Sequence, residues 1–84
     1  MGQQFAMVRG LVIPVDWDEE GNPVKTAIFG KDEKHYVVEP DKKGNELLRF
    51  LQEDLNVEGT IHINKNGHRV IVVENYQLAL EDNL

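Results

Sequence analysis

The chain has 84 residues, 40% of them apolar and 29% charged, and a net charge of −6. That length makes one domain whose apolar share fills a single core, without a deep substrate cavity beside it. It has no cysteine, which excludes disulfides, thiolate metal sites and cysteine nucleophiles, and no serine, which leaves Thr26, Thr60 and the tyrosines as the only hydroxyls.

The N-terminal residues "MGQQFAMVRG" hold one arginine and no apolar stretch of signal-peptide length, so a cytoplasmic protein is expected. No apolar run exceeds four residues (Phe5–Val8 and Val70–Val73), far short of the roughly 20 residues of a membrane helix. Residues 7–15 favour a first strand, in which Gly10 marks a bulge or sharp bend. "VDWDEEGNPVK" follows, with four acids, the lone tryptophan and a Gly-Asn-Pro turn. Asp16, Asp18, Glu20 and Gly21 imitate the start of a calcium loop. The twelfth position, which needs a bidentate glutamate, is Ala27. The stretch is therefore expected to be a solubilised hairpin tip. Trp17 is expected to fold back over the small core, the alternative being an outward aromatic contact.

Residues 24–29 and 35–39 are the second and third strands, joined by "GKDEK". In "DKKGNELLRFLQEDLN", Leu47, Leu48, Phe50, Leu51 and Leu55 lie on one face of a helix of about three turns. Asn45 suits its N-cap and Asn56 its left-handed C-terminal position. In "VEGTIHINKNGHRVIVVENYQLAL", Asn66-Gly67 signals a two-residue hairpin turn. That turn pairs Lys65 with His68 and Ile63 with Val70. Side-chain alternation then sends Ile61, Ile63, Val70 and Val72 inward, and His62, Ile71 and Val73 outward.

Gly10 within the first strand, the helix "NELLRFLQEDL" and the ending "VEGTIHINKNGHRVIVVENYQL" resemble an OB-fold domain of the small bacterial kind. The resemblance spans residues 7–80 and leaves 1–6 and 81–84 as flexible ends. It implies a mainly β chain, a five-stranded antiparallel Greek-key barrel with one α-helix between strands 3 and 4. An SH3-like barrel is the alternative, and would not need the helix. OB barrels that bind oligomers use the face of strands 2 and 3 with the first and fourth hairpin loops. Trp17, Lys25, Phe29, Lys34, Tyr36, Lys65 and Arg69 are the candidate contacts for single-stranded nucleic acid. Net charge argues against that ligand, because phosphate binding draws on cations.

Charge is uneven: one cation and four acids in residues 1–20 (−3), six and five in 21–50 (+1), two and six in 51–84 (−4). His62 and His68 are expected on opposite hairpin faces, away from His35, so no metal site is expected. Nor is a cofactor: each glycine is isolated, and no phosphate loop forms. The carboxylate pairs Asp16/Asp18 and Asp41/Glu46 sit where turns and a helix start want acids. The expected function is thus a non-catalytic binding module, acting through a protein partner or self-association. Its expected partner face holds His62, Ile71 and Val73, covered by the chain's ends or by another chain.

Overall fold

The computed structural model describes residues 3–79. Five strands, β1 (Gln4–Trp17), β2 (Pro23–Gly30), β3 (His35–Val38), β4 (Asp54–Ile63) and β5 (Arg69–Leu78), close into a barrel in the order β1-β2-β3-β5-β4. All neighbours are antiparallel except β3 and β5, which run parallel through Val37–Val70 and Val38–Ile71. The sheet is therefore mixed, not wholly antiparallel as expected. β3, four residues long, leads through the helical segment to β4, and β4 turns back by a hairpin into β5, a connection long enough for parallel pairing of β3 with β5.

β1 starts at Gln4, so residues 4–6 belong to the barrel and are not a loose end. Its first half pairs with β4 and its second with β2. Gly10 lies in both ladders, opposite Leu55 and opposite Gly30. A Cβ there would collide with the Phe29 carbonyl, so only glycine lets the strand bend at that approach. The expected flexible end 81–84 lies outside the described residues.

Val8, Val12, Ile28, Tyr36, Val38, Leu47, Leu55, Val57, Ile71 and Val73 form the core. The expected three-turn helix is instead two short pieces. α1 (Lys42–Asn45) is capped by Asp41, whose Oδ1 accepts from the Gly44 N–H at 2.8 Å. A 3₁₀ turn follows over Glu46–Phe50. Three residues per turn place Leu47 and Phe50 on one side. Leu47 reaches the core and Phe50 and Leu51 pack against it. Leu55, the outlying member of the apolar pattern, belongs to β4. Gln52, not Asn56, takes the left-handed position, at φ 69°. It turns the chain into β4 while its N–H reaches the Val12 carbonyl at 2.8 Å.

The β4–β5 hairpin departs from the expected register by one residue. Its loop has three residues, Lys65-Asn66-Gly67. The Asn64 N–H donates to the His68 carbonyl, and the Gly67 N–H donates back to the Asn64 carbonyl, both at 2.9 Å. The Asn64 Oδ1 accepts from the N–H groups of Asn66 and His68, and Gly67 has φ 84°. This is a type I turn closed by a left-handed glycine. Ile61 now faces Ile71, and Gly59 faces Val73. A one-residue slip reverses a strand's faces: Ile71 is 0% and Val73 4% exposed. They are core residues, and the expectation that they form an outer partner face is overturned.

A candidate binding face on the outer sheet

The core residues Val12, Ile28, Tyr36, Val38, Ile71 and Val73 fix the inner side of β1, β2, β3 and β5. Alternation sends their neighbours to the outer side. Register places Ile13, Ala27, Val37 and Val70 in one row across these four strands. Ala27 is 2% and Val70 5% exposed, yet neither belongs to the core cluster. Their own neighbours already shield them from water, so the row exposes apolar surface only at half-buried Ile13 and Val37.

Beside this row runs a second, Leu11, Phe29 and His35. Phe29 is exposed, and its ring stacks on His35 with centroids 4.8 Å apart and planes 25° off parallel. Where β3 and β5 begin, Lys34, His35, His68 and Arg69 line a notch with Glu33 and Val37. This end of the face is basic, with Lys65 exposed on the adjoining hairpin loop.

The other end is the β1–β2 hairpin. Its loop repeats the β4–β5 geometry in different residues. The Asp18 N–H donates to the Asn22 carbonyl at 2.9 Å and the Gly21 N–H to the Asp18 carbonyl at 3.1 Å. The Asp18 Oδ1 accepts from the N–H groups of Glu20 and Asn22 at 2.9 Å, and Gly21 has φ 88°. The Asn22 N–H is the main reason the Asp18 carboxyl is held below its ordinary pKa. Asp18 thus acts as a turn-former, and among the described residues no three His, Asp or Glu side chains gather as a metal cluster. Bulges in β1 and β2 near the tip leave Val15, Trp17 and Val24 exposed. Trp17 pairs with Pro23 and is 51% exposed, so it faces outward instead of folding back over the core.

The remaining candidates fall in different places. Lys25 is half-buried on β2 opposite Asp16, while Lys34 and Arg69 are exposed in the notch. Tyr36 is in the core at 6% exposure, with its hydroxyl donating to Asp32 Oδ2 at 2.6 Å. It cannot stack on a base from there, and that expectation is withdrawn. Burial, then the Asp32 hydrogen bond, raises the Tyr36 pKa, and the same bond is the main cause lowering that of Asp32. Half-buried His62 lies opposite Val70 at the end of the apolar row. Its buried Nδ1 has no hydrogen-bond partner among the described residues.

Ile13, Ala27, Val37 and Val70 were not anticipated as site residues. "TAIFG" and "HYVV" are apolar on both faces, the pattern of strands covered on both sides, and that signal marks the outer face as well as the core. No helix among the described residues is long and apolar enough to cross a membrane. Comparison with protein-family models, with curated proteins and with solved structures returns no match.

Proposed function

We propose that the chain is a non-catalytic, OB-like interaction module that docks a protein partner on the outer face of β1, β2, β3 and β5. The order β1-β2-β3-β5-β4 with Gly10 at the bend of β1 supports the OB-like reading, and OB barrels use this face with its flanking loops. The observation that carries the protein reading is the exposed apolar set Val15, Trp17, Val24 and Phe29, beside half-buried Ile13 and Val37. Phosphate has no use for such a surface, whereas an apolar side chain from a partner gains by covering it. Trp17 and Phe29 are residue types enriched at protein interfaces. Phe5 and Met7, also exposed on β1, are a weaker surface because Thr60, Glu58 and Asn75 lie across from them in register.

A photo-crosslinking residue in place of Phe29 tests the reading in cell extract. The expected result is a defined protein adduct that disappears when Ile13→Glu puts a charge on half-buried Ile13, with none when the probe replaces Phe5. An adduct unaffected by Ile13→Glu would contradict the proposal.

A second reading, single-stranded nucleic acid, is favoured by the Phe29–His35 stack beside Lys34, His68 and Arg69. Aromatic stacking beside cations is how single strands are held. It predicts oligonucleotide binding that falls steeply with salt and is lost in Lys34→Glu/Arg69→Glu. No binding in dilute buffer removes it.

A further inference from the structure

The face is polarised along its strands. Asp16, Asp18, Glu19 and Glu20 crowd the β1–β2 tip, and all four are exposed. Lys34, His35, His68 and Arg69 line the notch at the other end, with Glu33 the one acid among them. β2 runs between these ends from Pro23 to Gly30. Seven steps of about 3.3 Å put its ends roughly 23 Å apart. That exceeds the screening length of about 8–10 Å at ordinary ionic strength, so tip and notch cannot neutralise each other within one molecule. Two molecules laid face to face with their strands antiparallel satisfy both ends at once.

We propose that the occupant of the outer face is a second copy of this chain, related by a two-fold axis. Each acidic β1–β2 tip then lies on the partner's basic notch. The inference rests on the docking surface proposed above and names its occupant. An isologous pair uses one patch on both subunits, so the patch must complement itself under a half-turn. An apolar middle between opposite charges does so. Exposed Phe29 with half-buried Ile13 and Val37 supplies the water-excluding centre, and Val15, Trp17 and Val24 give the tip an apolar underside. Charge at the ends fixes the antiparallel sense, since the parallel stacking would bring tip against tip and notch against notch.

Charge reversal at each end gives a test in which association is lost and then recovered. Asp16→Lys/Glu19→Lys/Glu20→Lys leaves Asp18 as the one acid at the tip and makes it basic like the notch, and Lys34→Glu/Arg69→Glu makes the notch acidic like the tip. All five positions are exposed, so thermal unfolding should show both variants folded. Sedimentation equilibrium of the full chain should give a dimer for the parent protein. Each variant alone should dissociate at concentrations at least tenfold higher than the parent. An equimolar mixture of the two variants should recover the dimer, because both of its tip–notch contacts are attractive again. A parent protein that stays monomeric at several hundred micromolar in low salt overturns the proposal, as does a mixture no tighter than its components. If the parent is monomeric while the Phe29 probe still gives an adduct sensitive to Ile13→Glu, self-association fails and the docking face stands. If that adduct is also missing, both fail.

Discussion

Glu33 stands at φ 68°, where Gly21 and Gly67 stand in the two other hairpin loops. The β2–β3 loop has the same frame: the Gly30 N–H donates to the Lys34 carbonyl and the Glu33 N–H to the Gly30 carbonyl, both at 2.9 Å. A side chain in the left-handed region costs about 1–2 kcal/mol, and glycine returns part of that as unfolded-chain entropy. Glu33→Gly is therefore expected to stabilise the protein by about 0.5–1 kcal/mol, read as a higher urea midpoint; a lower midpoint would contradict the shared geometry. The carboxylates of Asp18, Asp32 and Glu46 have lowered pKa values, led by the Asn22 N–H, the Tyr36 hydroxyl and the Tyr76 hydroxyl respectively. Groups that ionise more readily when folded stabilise above their unfolded values, 3.8 for aspartate and 4.5 for glutamate. That contribution is lost as pH falls through the lower folded values. Stability should decline below about pH 5, and less steeply in Asp32→Asn; an unchanged slope would show that the Tyr36 contact does not couple to folding. Tyr36 and Tyr76 were legible only as aromatics. That their hydroxyls reach Asp32 and, at 2.7 Å, Glu46 depends on which way each strand faces, and composition does not carry that.

At the scale of elements, the strands were legible and their register was not. "NG" between β-formers correctly located the β4–β5 hairpin, but two loop lengths can contain it. Asn64 decides between them, because its side chain binds the N–H groups of Asn66 and His68 and favours three loop residues over two. Single deletions separate the alternatives. Removing Lys65 leaves Asn64 opposite His68 with Asn66-Gly67 as a two-residue turn, so the melting temperature should move by only a few degrees. Removing Asn64 shifts β4 by one residue against β5 and drives Ile61 and Val57 out of register with Ile71 and Tyr76. That variant should lose most of its cooperative unfolding. Equal effects of the two deletions would contradict the register. The helix shows the opposite limit. Leu47, Leu48, Phe50, Leu51 and Leu55 fit an α-helix by spacing, but Gly44 lowers helix propensity and Gln52 ends the segment, so two short turns place the same leucines.

For the whole molecule, closure of a five-stranded barrel from this element order was legible, because Gly10 and the helical connection leave few ways to bury the two apolar faces. The outer face was hidden for a specific reason. Pattern reading assigns one side of each strand to the core and the other to water, and β2 and β3 are apolar on both. The expected register puts the unexplained apolar surface at Ile71 and Val73, whereas it lies at Val15, Trp17, Val24 and Phe29. The acids around Trp17 then take on a positive role, as the counterpart of a basic notch on a second copy. The absence of cysteine allows a single spin label to be introduced cleanly. Glu19→Cys, labelled and mixed with nitrogen-15-labelled parent protein, reports only contacts between molecules. Broadening is expected at the amides of Lys34, His35, His68 and Arg69 in the nitrogen-15-labelled parent, with Phe5 and Met7 unaffected. No broadening, or broadening centred on Phe5 and Met7, would contradict it.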